Sequence, residues 1–436
     1  MTVATEQKLP VVALSKAIGA AEGDRPATAQ LRSKAALLAE AMRLPDSYQE
    51  RPWKYADVSG LDLAAYQPGA AANRGDEPES FRERYNLEHL AAGSTLVIQK
   101  NGDCTYSEAS PGVTVVEVAK ATGEEAATID AKLGSVVPPE RSKFTALHYA
   151  YMRGGLLVDI AANVEVPEPV RIVRELQVGQ LAAPHTLIVT GANSRVHVVE
   201  DFRSSEADIL ALPVAEILPG HGATVRYTVL HRWGSNTRVF SEGQLLSGPD
   251  STFVSTNLVV GGRLVKGHVE SSLTGRGSSS ELFGVFVGDH DQQIDFYTLQ
   301  DHIGADTRSD LLYKSALADQ ARSAYYGLTR VGLEARNADA FQQDHNLLLS
   351  PEARADSDPV LEILTNDIIR CNHGATTGPV DDEQLFYLES RGVPRKQAEA
   401  MLVRGFLNEV LARVPQQALR DEMEQIIDEK LAAVSS

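Results

Sequence analysis

The chain has 436 residues, 43% hydrophobic and 23% charged, the balance of a folded globular protein and not of a disordered or fibrous one. It carries 59 acidic against 41 basic residues, a net charge of -18, a field that repels polyphosphates and offers no basic stripe to a nucleic-acid backbone. The length exceeds what one hydrophobic core usually serves, so two or three domains or one elongated repeat array is expected.

Met1 to Leu9 show no basic-then-apolar signal pattern, and no apolar run approaches the ~20 residues needed to cross a bilayer, which predicts a cytoplasmic protein without a membrane partner. Leu31, Ala35, Leu38 and Met42 line one face of a helix predicted over Ala27 to Met42, stopped by Pro45. Gln67 to Glu79, rich in Ala, Gly, Asn and Pro, reads as a connection. Strand structure begins near Ser94, where Thr95-Leu-Val-Ile-Gln meets Asn101-Gly102, a pair suited to a hairpin because both positions accept positive φ. A second helix, Ser142 to Met152, ends at Gly154-Gly155, which marks the end of a helical and mixed N-terminal region, 1–154.

Between about 156 and 350 short runs rich in Val, Leu, Thr and Phe alternate with Gly, Asn, Asp and Ser, without helical periodicity. Ala192-Asn-Ser-Arg-Val, Gly222-Ala-Thr-Val, Asp250-Ser-Thr-Phe-Val and Gly277-Ser-Ser-Ser-Glu-Leu lie roughly 30 residues apart, with similar runs at Thr237 and Gly262 about halfway between. Such a period points to stacked coils that bury apolar faces against one another, and a parallel β-helix over 155–378 fits best. A β-sandwich would instead show two-residue hairpin turns at most junctions.

Two strands follow around Pro359, Val360 to Leu364 and Ile368 to His373. A helical module, 379–436, then closes the chain. Asp381 and Gln384 form a capping box for its first helix, which buries Leu385 and Leu388 and ends at Gly392. The second helix starts at Pro394 with Met401, Leu402, Phe406 and Val410 on one side; the third follows Pro415 with Leu419, Met423, Ile426, Ile427 and Leu431.

Cys104 and Cys371 are the only cysteines, too few for a disulfide framework or a C-x-x-C site. Alternation along Ile368 to His373 sends Ile369, Cys371 and His373 to one face, with the Cys371 and His373 backbones about 7 Å apart. Thiolate and imidazole suit a soft iron centre, but two ligands do not complete one, so a partner would supply the rest. The bland reading is a small buried thiol beside a hydrogen-bonded imidazole. Asp289, His290, Asp291, Asp295, Asp301, His302 and Asp306 form a second constellation, suggestive of metal binding or glycoside cleavage; the competing reading places them at coil corners, satisfying turn backbone. No P-loop or G-x-S-x-G elbow is present, and Gly284-Val-Phe-Val-Gly288 lacks the downstream helix of a dinucleotide fingerprint.

Four ordered motifs, Gln293-Ile-Asp295 with Thr298 and His302, Ser309-Asp-Leu-Leu-Tyr313-Lys314, Cys371-Asn-His373-Gly-Ala-Thr-Thr-Gly378 and Asp382-Glu-Gln-Leu-Phe-Tyr387-Leu-Glu-Ser-Arg-Gly392, resemble the SufB/SufD components of the SUF iron–sulfur cluster assembly system. Arg51-Pro-Trp53-Lys-Tyr55 resembles the N-terminal Trp-Lys-Tyr signature of that family. The resemblance implies a right-handed parallel β-helix between helical ends and a non-enzymatic scaffold. It also implies pairing of one SufB with one SufD, a transient cluster at their interface that this chain does not hold stably alone, and docking of the SufC ATPase on the C-terminal helices. SufB-like chains carry Glu after the His of the third motif and Cys within the fourth; here those positions are Gly374 and Leu388, so the chain resembles SufD, with His373 contributing to the shared site and the Cys371 thiol nearby. Leu385, Met401, Phe406 and Ile426 are candidate SufC-docking residues. A reduced flavin in the complex and a homodimer of the isolated chain stay open at this point. The rivals are a SufB-like homodimeric cluster scaffold and a β-helix enzyme acting on polysaccharides.

Overall fold

The computed structural model describes residues 10–68, 79–87, 89–91, 93–177 and 180–434. Apart from Gln67, Pro68 and Glu79, the connection expected over 67–79 lies outside the described residues. The centre of the chain is a parallel β-helix whose strands alternate between a ten-stranded and an eleven-stranded sheet. Val265, Ile294 and Ser323 stack in one column of in-register parallel pairs, the spacing that the sequence period announces. Flanking helices among the described residues are α1 (Val11–Glu22), α2 (Pro26–Ala41), α3 (Glu79–Arg84), α4 (Gly123–Lys132), α5 (Lys143–Tyr151), α6 (Asp382–Ser390), α7 (Arg395–Leu411) and α8 (Gln417–Val434).

The periodic Asn, Asp and Gly residues build one corner of the coils. Asn163, Asn193, Gly222, Asp250, Gly277, Asp306 and Asn337 all have positive φ, a conformation these residue types tolerate best. Each donates its backbone N–H to a carbonyl one coil further on, Asn193 to His221 and Asp306 to Arg336 among them. An added Cβ at Gly222 or Gly277 would also meet the side-chain oxygen of the exposed Asn193 or Asp250, which would have to turn away.

Inward-facing side chains fill the lumen. Phe286 stacks on Phe296 at 4.6 Å, and Tyr313 meets Phe286 and Tyr325 edge-on at 5.2 and 5.5 Å, favourable arrangements for rings in a dry core. The outer face of the ten-stranded sheet is covered by α7 and α8, where Val403, Leu407, Val410, Met423 and Ile427 pack on Leu230, Leu258, Phe283 and Leu312. Arg171, buried between Asp201 at 2.8 Å and Glu422 of α8 at 2.6 Å, ties that layer down. The eleven-stranded sheet is covered by the N-terminal region, where Trp53, Phe144 and Leu147 join Leu187 and Phe240.

Four features depart from the sequence expectation. Helices α1 and α4 carry no side-chain N-cap bond and went unread. The buried stripe of α7 runs through Val403, Leu407 and Val410, whereas Met401 is 46% exposed. The last two strands, Arg354–Ile363 and Ile368–Pro379, are longer than predicted. Their partners in the previous coil set that length, and local propensity does not.

Candidate functional site

Register decides where the side chains of the last coil point. Strand Ile368–Pro379 lies parallel to Ala338–Leu348, with Cys371 on Ala340, His373 on Gln342 and Ala375 on Asp344. Paired residues of stacked parallel strands project to the same face, and Ala340, Gln342 and Asp344 are buried in the lumen. Cys371 and His373 therefore sit on the lumen side of the final coil. Among the described residues no further coil stacks on them, because Ile368–Pro379 ends the ten-stranded sheet and Arg354–Ile363 ends the other. His373 is accordingly exposed and Cys371 half-buried.

Ile369 does not share this face. Ile368 pairs with Ala338 and Arg370 with Asp339, so Ile369 is the extra residue of a bulge and is 67% exposed. Ile368 takes its place, packing with Cys371 against Val331, Ala335 and Ala338. Burial pushes the Cys371 thiol up, which favours the neutral thiol over the thiolate that binds metal or attacks sulfur.

The floor below these two side chains is polar. Gln342 accepts hydrogen bonds from Tyr325 and Thr329, both at 3.3 Å. Asp344 accepts from Asn346 at 2.7 Å and from Ser357, on the opposite strand of the final coil. Burial pushes the Asp344 carboxyl up to about 6. Gln342, Asp344 and Ser357 are not singled out in the sequence, because Phe341-Gln342-Gln343-Asp344 shows no apolar–polar alternation to mark its inward residues. Among the described residues no group of three or more His, Cys, Asp or Glu side chains is placed to hold a metal ion; Cys371 and His373 stand as two potential donors on one face of the last strand.

The acidic constellation is dispersed. Asp295 pairs with Lys266 at 2.8 Å, Asp301 with Arg330 at 2.9 Å, Asp306 with Arg276 at 2.7 Å, and Asp289 with Lys430. His302 is enclosed by Thr307 and Ser309, both at 2.8 Å, and His290 is an exposed corner residue with φ 51. Asp289, Asp295, Asp301 and Asp306 each serve an ion pair and Asp291 is exposed, and no facing pair of carboxylates of the kind that cleaves glycosides results among them.

The four candidate docking residues also separate. Leu385 packs with Val380 and Ala398, and Ile426 lies in the core beneath α8. Phe406 is partly buried with the Lys314 ammonium 4.3 Å from its ring centre. Met401 is exposed, as are Phe386 at 72% and Tyr387 at 58%.

A family model described as SUF system FeS cluster assembly, SufBD core domain, matches residues 173–406, from an early coil of the solenoid into α7. An iron–sulfur cluster assembly SufBD family protein of Mycobacterium tuberculosis is 30% identical over 344 residues, 76% of this chain and 85% of its own. The iron–sulfur cluster assembly protein SufD of Bacillus subtilis is 29% identical over 300 residues, 68% of each chain, and a SufBD family protein of Synechocystis is 27% identical over 324 residues, 71% of this chain and 67% of its own. Solenoid, motifs and relatives agree: the chain belongs to the SufBD family of the SUF iron–sulfur cluster assembly system.

Proposed function

We propose that this chain is a cytoplasmic, SufD-side scaffold subunit that pairs with SufB through its final coil and carries the SufC ATPase on its C-terminal helices, a nascent iron–sulfur cluster forming at the pairing seam. The observation that carries this reading is the open end of the solenoid, where, among the described residues, two long strands leave one edge each unpaired and Cys371 and His373 stand on the lumen side of the last strand at the open mouth. A row of unpaired N–H and C=O groups is a template for a strand of another subunit. Gly374 and Leu388, which offer no donor to iron or sulfide, favour the SufD side.

In this reading iron and sulfide are cargo held chiefly by SufB, and His373 supplies an imidazole from the facing wall. Movement reaches that wall through the helical layer. Lys314 donates to Glu409 of α7 at 2.6 Å, and its strand lies beside Ala338–Leu348, which carries the last strand. Phe386, Tyr387 and Met401 are the exposed apolar residues of α6 and α7 that a SufC subunit would cover.

Co-expressed with SufB and SufC, the His373→Ala chain should still assemble while bound iron and sulfide fall roughly tenfold or more, the scale of losing a group that tunes a metal site. Unchanged iron and sulfide would remove His373 from the site. Phe386→Glu should release SufC and leave the SufB pair intact. Deleting all of α7 and α8 would be uninformative, because it strips the cover from the ten-stranded sheet.

A further inference from the structure

The segment Arg51-Pro-Trp-Lys-Tyr55 has no part in the seam as described, yet its contacts lead to it. Its backbone is fixed by a 3-10 turn, Arg51–Trp53, with Pro52 in the first turn, and Trp53 donates its N–H to Glu50 at 2.9 Å. From there three consecutive side chains run across the outer face of the eleven-stranded sheet. Trp53 is buried against Phe144 at 5.2 Å and Phe240 at 5.7 Å, with the Lys266 ammonium 5.8 Å from its ring centre. The Tyr55 carbonyl accepts from Gln293 Nε2 at 2.6 Å, and the Arg322 guanidinium lies 5.6 Å from the Tyr55 ring centre. The Tyr55 hydroxyl then donates to Asp358 Oδ2 at 2.9 Å, and the Lys54 ammonium pairs with the same oxygen. Phe240, Lys266, Gln293, Arg322 and Asp358 stand on five successive strands of one sheet, the last being the edge strand Arg354–Ile363. With strands ~4.8 Å apart, the span is about 19 Å.

We infer that Arg51–Tyr55 is a positioning strap: anchored by Trp53 over the settled part of the solenoid, it holds the edge strand Arg354–Ile363 through Asp358 and so presets that strand for pairing with a sister subunit. The edge strand needs such a hold. Among the described residues its backbone ladder pairs with one neighbouring strand only, it contains Pro359, which donates no N–H, and its residues are at best half-buried. Lys54 and Asp358 are 38% and 31% exposed, so the ion pair alone is worth little. The strap acts because the ion pair, the tyrosine hydroxyl and the buried indole are joined in three consecutive residues. The pairing role rests on the proposed seam; the hold on the edge strand does not.

The test uses the full-length chain carrying Lys54→Ala with Tyr55→Phe, which leaves the Trp53 anchor in place. Amide hydrogen exchange on the isolated chain should quicken about fivefold or more within residues 354–363 and stay unchanged in strands Leu264–Leu273 and Gln293–His302. Exchange that is unchanged at 354–363, or that quickens equally throughout, would overturn the strap. Affinity for SufB should fall by a similar factor, and the charge exchange Lys54→Asp with Asp358→Lys should recover most of both losses. Faster exchange with undiminished affinity for SufB would overturn the presetting role. A wild-type chain that ignores SufB would instead count against the seam, and the exchange measurement would still decide the strap.

Discussion

At its N-terminal end the ladder stops on two short antiparallel strands, Asp103–Glu108 and Val113–Glu117, of six and five residues. At its C-terminal end it stops on Arg354–Ile363 and Ile368–Pro379, ten and twelve residues of parallel strand with no neighbour on one side among the described residues. Beside the first end Leu87, Leu96, Ile98 and Val173 form a dry cluster; at the second, Ile363, Leu364 and Ile369 are 40%, 50% and 67% exposed. Folded proteins blunt long sheet edges because an open edge recruits another chain. One end of this solenoid is finished within the chain; at the other, among the described residues, two long strand edges stay open.

The sharpest way to break that contrast is to make the same substitution at both ends. Ile98→Ala at the closed end should cost about 2–5 kcal/mol in urea unfolding. Ile363→Ala at the open end should cost under about 1 kcal/mol and show its effect in subunit association instead; equal losses of stability would erase the distinction. Glu422→Ala, which takes one carboxylate from the buried Arg171 and leaves it Asp201, should cost about 2–3 kcal/mol and expose α8 to limited proteolysis before the solenoid unfolds.

Acid should separate the regions as well. His197, His231 and His302 are buried and held at about 4 by desolvation, below the ordinary histidine value. The unfolded chain therefore takes up their protons first, and the stability they contribute is lost as pH falls from about 6.5 toward 4. Asp344, at the open end, has the opposite sign. Its folded value of about 6 exceeds that of the unfolded chain, so its ionisation costs stability as pH rises from about 4 to 6. Asp344→Asn should raise stability at pH 7 by about 1–3 kcal/mol and steepen the loss on acidification; an unchanged pH profile would show that Asp344 is ionised without penalty. His373→Ala should be the mildest, within about 0.5 kcal/mol of wild type in unfolding because the side chain is exposed, and its effect should appear only in iron and sulfide content.

The repeat was legible in the sequence because the corners impose chemistry: positive φ at Asn163, Asn193 or Asp306 calls for Asn, Asp or Gly, and those letters recur with each coil. Asp381 was legible for a similar reason, since its side chain accepts from the N–H groups of Glu383 and Gln384 at the start of α6. Helix α1, entered through Pro10, had no such marker. The bulge at Ile369 could not be read locally either, because it is set by register with Ala338 and Asp339 one coil earlier. Cys371 and His373 were found as neighbours on one strand, but their place at an open mouth follows from the end of the ladder, a property of the whole fold. The inward stripe of α7 was misread by a small rotation: Met401 and Leu402 adjoin Val403 on the helix surface, and packing on Phe283 and Leu312 selects which apolar residues turn inward.

The corner column has a consequence for how such a chain can change its length. The corners at Asn163, Asn193, Gly222, Asp250, Gly277, Asp306 and Asn337 are unevenly spaced in sequence, yet each is bonded to the coil after it, so the turns elsewhere in a coil take up a difference of a residue or more while the corner bonds keep the coils aligned. A single-residue deletion in a turn away from the corner column should then be absorbed within its own coil, whereas loss of the corner residue Gly222 itself should disturb the bonding of that coil to its neighbours.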